Sequence, residues 1–185
     1  KTGIGFEKTK FKIEFFGNIH GEKRSPVLLP GGDEIKLEYD PVKIPDITEA
    51  LPSEVKSITL DFKTPVRFQE NGKVIRRRDG ITPRLVIVNT VRRYLALAGL
   101  YGTDGFVEGQ PDFHFDEVTI SDNSLNFYDW GRYSNRQKTY LDMSGLTGKI
   151  TFGGNISRIL PWMVIGSQIN TGKNTAYGLG SYSIE

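Results

Sequence analysis

The chain has 185 residues, 37% hydrophobic and 25% charged, with a formal net charge of +2, two histidines and no cysteine. This composition fits an ordinary folded domain. It excludes disulfides and cysteine-held zinc, and no apolar run approaches the roughly 20 residues that a membrane helix needs.

No basic-then-apolar leader opens the chain, so a cytoplasmic protein without a membrane partner is expected. With only His20 and His114 available, neither a metal nor another cofactor is expected. The chain starts at Lys1 and runs directly into Gly3-Ile4-Gly5 and a strand. That start suggests a processed product or a piece cut at a domain boundary.

Residues 6–16 alternate, with Phe11, Ile13 and Phe15 against Lys10, Lys12 and Glu14, which predicts a half-buried strand. From Gly17 to Pro52 the chain is punctuated by Pro26, Pro30, Pro41 and Pro45. It reads as a turn-rich connection with one short strand at Glu34–Tyr39. His20 lies here. A lone histidine beside a turn is ordinarily just exposed, and no other residue presents itself as a catalytic acid or base.

Ser57–Phe68 alternates through Ile58, Leu60 and Phe62 and predicts a strong strand. Asn71-Gly72 is a favoured hairpin turn, and Lys73–Arg78 is expected to return antiparallel. The four basic residues of that return read as a solvated edge. Residues 83–98 predict a helix: Thr82 caps it, Pro83 suits its first position, and Ile81, Leu85, Val88, Val91, Leu95 and Ala98 recur at helical spacing. Gly99 and Gly102 are expected to end it, with Arg84, Arg92 and Arg93 off the apolar stripe.

Strands are predicted at Phe113–Ile120, Ser124–Tyr133 and Tyr140–Phe152. Between Tyr128 and Lys138 aromatics interleave with positive charge. Such a ribbon can stack bases and hold phosphates, or simply pack its aromatics across strands. Ser157–Gly166 predicts a short, nearly all-apolar second helix, capped by Ser157, with Pro161 tolerable only in the first turn. A glycine-rich stretch, Gly166–Gly180, leads into a last strand. The order is βαββαβ, an α+β ferredoxin-like arrangement also used by RRM domains, with an additional N-terminal β-rich segment. The expected division is a lead-in strand and loop segment over 1–54 and a ferredoxin-like domain over 55–185.

Amides of a glycine loop can cradle an anion, and Lys173 adds a point charge. The loop is not a P-loop: five residues separate Gly166 from Gly172, and Asn174 follows Lys173 where Ser or Thr is required. Nor is it a dinucleotide fingerprint, because Gly178-Leu179-Gly180 opens a strand instead of a helix. A plain helix C-cap followed by a turn remains open on these residues alone.

Several stretches, in order, resemble the RAMP superfamily of CRISPR-associated proteins, in particular the C-terminal domain of the endoribonucleases that process CRISPR precursor RNA. They are Leu60-Asp61-Phe62-Lys63-Thr64-Pro65-Val66-Arg67-Phe68 with the Asn71-Gly72 turn, Arg92-Arg93-Tyr94-Leu95-Ala96-Leu97-Ala98, and Trp130-Gly131-Arg132-Tyr133-Ser134-Asn135-Arg136-Gln137. Gly145-Leu146-Thr147-Gly148-Lys149-Ile150-Thr151-Phe152, Leu160-Pro161-Trp162 and the Gly166–Gly180 loop complete the set. The resemblance runs from about residue 55 to the end.

It implies RNA, a CRISPR repeat or guide RNA, as the main partner, with other CRISPR-associated proteins beside it. In such a family the full-length protein cleaves without metal: the 2′-hydroxyl attacks the adjacent phosphate and leaves a cyclic phosphate and a 5′-hydroxyl. Catalytic groups come mostly from an N-terminal half that this chain is expected to lack. The RNA-binding residues implied are Gly172, Lys173, Gly178 and Gly180 in the loop. Arg132, Arg136 and Lys138 would contact phosphate, and Tyr133 would stack. Where many relatives carry histidine in the loop this chain has Asn170, which cannot serve as an acid–base group at neutral pH. A non-catalytic RAMP subunit that holds RNA in an effector complex is therefore the alternative. A carbohydrate- or protein-binding module using Tyr128, Trp130 and Tyr133 explains fewer features.

Overall fold

Along β3 (Ser57–Val66) every second side chain, Ile58, Leu60 and Phe62, turns inward and is at most 3% exposed, as period-two alternation demands. The computed structural model describes residues 16–20, 23–28, 51–52, 54–101, 113 and 115–185. The chain forms two compact units, Lys1–Val42 and Lys43–Glu185.

In the first unit, β1 (Phe16–His20) pairs antiparallel with β2 (Lys23–Leu28), placing His20 opposite Lys23. This hairpin occupies part of the stretch expected to be only turn-rich connection. Pro26 is compatible with it because both members of a two-stranded ribbon are edges, where a missing amide is tolerated. The strand expected over 6–16, apart from Phe16 at the start of β1, and the one expected over 34–39 lie outside the described residues.

The second unit is built on a sheet ordered β11-β3-β10-β6. Strands β6 (Val118–Asn123) and β3 both run antiparallel to β10 (Gly145–Gly154), so they are parallel to one another with β10 between them. β11 (Tyr182–Ile184) pairs antiparallel with the other edge of β3. This split βαβ order is the ferredoxin-like fold.

Two helices cover the inner face. The first, α1 (Pro83–Tyr101), starts where predicted: the Leu85 amide donates to the Thr82 hydroxyl at 3.1 Å. It runs through Gly99 to Tyr101. Its buried residues are Val86, Ile87, Thr90 and Val91, so the apolar stripe is rotated from the predicted one and Val88 sits at its margin. The second helix, α2 (Leu160–Ile169), begins later than predicted, and Ser157 does not cap it. Pro161 has no amide to give and clashes inside a helix, so it fixes the start at its own first turn. The helix continues through Gly166, where a side chain is forbidden: an added Cβ would lie 2.2 Å from the Tyr182 hydroxyl and 2.8 Å from Thr90 Cγ2. Ile150, Phe152 and Met163, none more than 1% exposed, fill the space between helices and sheet. Full burial of such side chains contributes about 1.5–3 kcal/mol each.

The return after Asn71-Gly72 is shorter than predicted. β4 (Gln69–Glu70) and β5 (Lys73–Val74) are two residues each, and Arg78–Gly80 form a 3-10 turn. Arg76 leaves the ribbon to lie 5.0 Å over the ring of Phe127. The predicted strand over 113–120 also begins late, at Val118, after a 3-10 turn at Phe115–Glu117.

The next two predicted strands break where the other's partner breaks. β7 (Asn126–Tyr128) pairs with the start of β10, and β8 (Gly131–Ser134) pairs with β9 (Thr139–Asp142). At the junction the Met143 amide donates to the Trp130 carbonyl at 2.9 Å. A ribbon thus extends from the sheet and ends at residues 135–138.

Candidate nucleic-acid interface

Three segments meet beyond the end of β3: the β8–β9 hairpin, the glycine loop, and Arg67. In the hairpin Arg132 stands opposite Leu141, and Tyr133 opposite Tyr140. Asn135, Arg136, Gln137 and Lys138 form the exposed turn. Lys138 takes a left-handed φ of 53°, and the Gln137 amide donates to the Ser134 hydroxyl at 3.2 Å. Tyr133 and Tyr140 are 57% and 67% exposed. Across the gap, the Arg132 guanidinium lies 5.0 Å from the centre of the Tyr177 ring. Hairpin and glycine loop are therefore joined by a cation–π contact.

The glycine loop is held from inside. Thr171 and Leu179 are buried anchors. The Thr171 amide donates to the Gly180 carbonyl at 3.0 Å, the Lys173 amide to Arg67 O at 2.8 Å and the Gly180 amide to Pro65 O at 3.0 Å. The Ser181 amide donates to the Thr64 hydroxyl at 2.9 Å. These amides are turned into the fold, so the loop is not an open row of anion-binding donors.

Two of its glycines answer to the chain's own backbone. A Cβ on Gly172 would lie 2.9 Å from Arg67 O, and one on Gly180 would lie 1.8 Å from Thr171 O, both at positive φ. Gly178 differs: its φ is +82°, but nothing lies within 4 Å of where a Cβ would be. Lys173 is exposed.

Arg67 ties the parts together. It is 9% exposed, and its guanidinium donates to the Ser144 carbonyl at 2.9 Å and to Asp142 Oδ2 at 2.7 Å, while its own carbonyl takes the Lys173 amide. The Arg67 hydrogen bond, helped by the Ser144 hydroxyl and amide, holds the Asp142 carboxyl well below the usual carboxylate range.

The surroundings are cationic. From Trp130 to Leu141, and again from Met143 to Ile184, the chain carries no Asp or Glu. Among the described residues none of Arg132, Arg136, Lys138 and Lys173 enters an ion pair. By contrast the open face of the sheet carries Thr59 and Thr151, whose hydroxyls bond at 2.8 Å, with Asp61 paired to Lys63 and Lys149 paired to Glu185. Among the described residues it carries no aromatic platform.

Of the residues singled out from the sequence, the structure brings Arg132, Tyr133 and Arg136 to an open cavity that Tyr177 also lines, and it sets Lys138 in the same turn. Lys173 and Gly178 are on the exposed side of the loop, Gly172 and Gly180 on its packed side. His20 is in the other unit, and His114 lies outside the described residues. Arg67, Asp142 and Tyr177 were not singled out. A charge interrupting Val66–Phe68, and one large ring in a loop of small residues, were the available signals. Among the described residues no three His, Asp or Glu side chains gather as metal ligands. No described helix is long and apolar enough to cross a membrane.

The fold is shared with solved structures. A Cas6 (TTHA0078) product complex aligns over 83% of this chain and 62% of its own length, at 18% identity and a TM-score of 0.52. A partial Cas6-RT-Cas1–Cas2 complex aligns over 85% of this chain and 28% of its own, at 15% identity and a TM-score of 0.56. Thermus thermophilus Cas6 (TTHB231) aligns over 78% and 58%, at 15% identity and a TM-score of 0.51. The chain spans about three fifths of the first and third of these proteins. No curated protein gives a significant sequence match. The profile of the family described as CRISPR-associated endoribonuclease Cas6 matches residues 60–182, which takes in most of the sheet, both helices, the hairpin and the glycine loop, and the chain belongs to that family.

Proposed function

We propose that this chain is the RNA-binding, C-terminal portion of a CRISPR precursor-RNA processing endoribonuclease, and that RNA lies along the edge formed by the β8–β9 hairpin and the glycine loop. The observation that carries this reading is the meeting of Arg132 with Tyr177, which joins two acid-free, cationic segments into one surface. Arg132, Arg136, Lys138 and Lys173 contact phosphates, and Tyr133 offers a ring for stacking. Gly178, open to solvent, lets the RNA backbone come close. Gly172 and Gly180 serve that contact by shaping the loop.

In the full-length protein the reaction is metal-independent transesterification. The 2′-hydroxyl loses its proton and attacks the neighbouring phosphorus, the bond to the 5′-oxygen breaks, and that oxygen takes a proton. The groups that move these protons come from outside the described part of the second unit. Asn170 in the loop cannot do so, and Tyr182, the buried tyrosine, is pushed to a high pKa by burial and spends its hydroxyl on the Met163 carbonyl. A CRISPR repeat RNA is the expected substrate, and other CRISPR-associated proteins are the expected partners.

The reading is tested by incubating labelled CRISPR repeat RNA with the full-length protein in EDTA. A single cut ending in a cyclic phosphate is expected. Binding without any cut would replace the nuclease with the non-catalytic RAMP subunit. On the binding side, Lys173→Ala should weaken RNA affinity and reduce the magnitude of the salt slope by about 0.7, one single-strand phosphate contact. Unchanged affinity and slope would remove Lys173 from the interface.

A further inference from the structure

The β8–β9 hairpin and Tyr177 of the glycine loop do not only form an edge; they border a half-open cavity of about 460 Å³. That volume falls in the range of sites that take small ligands. Its lining combines rings, guanidinium groups and side-chain amides. Tyr177, 52% exposed, supplies a ring, and the Arg132 guanidinium lies 5.0 Å from that ring's centre, so a charged plane and an aromatic one stand together. Asn135 and Gln137 bring two amides, each with donors and an acceptor, and Arg136 brings a second guanidinium. Leu141 contributes apolar surface, and no carboxylate lines the cavity.

This set matches one chemistry. A base that leaves its stack on RNA is held by aromatic rings and guanidinium planes, and it is read on its exposed edges. An amide pairs with the N6 and N7 atoms of adenine, and a guanidinium with O6 and N7 of guanine; pyrimidines have no N7. We propose that this cavity is a pocket for one unstacked purine base of the bound RNA, stacked on the Tyr177–Arg132 pair and read by Asn135, Gln137 and Arg136. The proposal rests on the RNA-binding reading above and adds a base preference to it. The walls are built to persist. Thr171 and Leu179 anchor the Tyr177 side, and the Ser134 hydroxyl bonded to the Gln137 amide fixes the turn side.

The test uses two fluorescein-labelled RNAs of about 12 nucleotides, a length such single-strand sites can accommodate. One is all uridine, and the other has one adenosine at its centre. A third RNA carries 2-aminopurine at that position to report stacking. The wild-type chain should prefer the adenosine RNA about tenfold, toward the low end of what one bidentate edge contact discriminates, and should quench the 2-aminopurine. Tyr177→Ala should remove both the preference and the quenching, and Tyr177→Phe should keep both because the ring remains. Asn135→Ala with Gln137→Ala should reduce the preference and leave the quenching. Lys173→Ala should weaken both RNAs equally. Binding of both RNAs without discrimination, or an equal loss for both in Tyr177→Ala, would overturn the pocket and leave the RNA-binding reading standing. If neither RNA binds, both the pocket and the RNA-binding reading are overturned.

Discussion

Arg67→Met removes the one side chain that links β3 to the base of the hairpin, and its cost can be worked from the contacts. Methionine keeps most of the buried stem but loses the donors to Ser144 O and Asp142 Oδ2. Ser144 is 1% exposed, so an unanswered Ser144 carbonyl accounts for about 1–3 kcal/mol. The ion pair adds little to that, because the Asp142 side chain is 48% exposed and water replaces the lost partner. Relief from burying a guanidinium offsets part of the loss. The net expectation is about 1–3 kcal/mol at pH 7, or a melting temperature lower by roughly 3–10 °C for a unit of this size.

The pH dependence identifies the cause. The folded Asp142 carboxyl titrates below its unfolded value near 4, so its contribution is complete above that value and is lost as pH falls further. Urea unfolding of wild type and variant should therefore show a gap that is constant from pH 7 to about 5 and narrows slightly toward pH 3 as the ion-pair part is lost. A variant as stable as wild type at pH 7 would refute the assigned role of Arg67, and a gap that stays fixed at pH 3 would assign the whole cost to the Ser144 carbonyl.

The glycines of the loop should separate by substitution. Gly180→Ala places a methyl 1.8 Å from Thr171 O and should cost more than about 3 kcal/mol or prevent cooperative unfolding, whereas Gly178→Ala meets open space and should cost only the left-handed penalty of about 1–2 kcal/mol. Similar melting temperatures for the two would show that packing does not set the glycine requirement. Thr90→Val keeps the shape of a fully buried residue but strips the partner 2.9 Å from the Thr171 hydroxyl; a loss of about 1–3 kcal/mol is expected in urea, and none would mean that the hydroxyl finds another partner.

The frame of the second unit was legible because each element carries its own local signal. Alternation marks β3, the Thr82–Pro83 start marks α1, and the glycines mark the loop. What was not legible depends on partners far away in sequence. The stripe of α1 rotated because Thr90 is buried against Gly166 and Thr171, which no local hydrophobicity count rewards. The long strands over 124–152 were cut because Trp130 and Met143 answer each other at a junction, and pairing is a property of two segments. Arg67 read as one more charge on a strand. Its partners stand 75 and 77 positions away in sequence, and only folding puts them beside it. For α2 the reverse happened: Pro161 held the right information, and the attractive Ser157 cap overrode it.

The two sides of the sheet explain why RNA contacts, on the proposed reading, lie at an edge. In an RRM the open sheet face offers aromatic rings on which bases stack. Here the same face has short hydroxyl residues and the carboxylates of Asp61 and Glu185, and its two lysines are paired to those carboxylates. Such a face gives bases nothing to stack on and leaves little unpaired positive charge for phosphate. Exposed rings and unpaired cations lie instead on the ribbon that extends from β7 and β10, and on the loop before β11. A ribbon anchored at one end can move relative to a sheet, which would blur a binding edge. Two contacts oppose that motion, Arg67 on Asp142 at the ribbon's base and, one rung further out, Arg132 on Tyr177. Their residues lie on three separate segments, so the geometry of the proposed RNA edge is a property of the folded unit and not of the glycine loop alone.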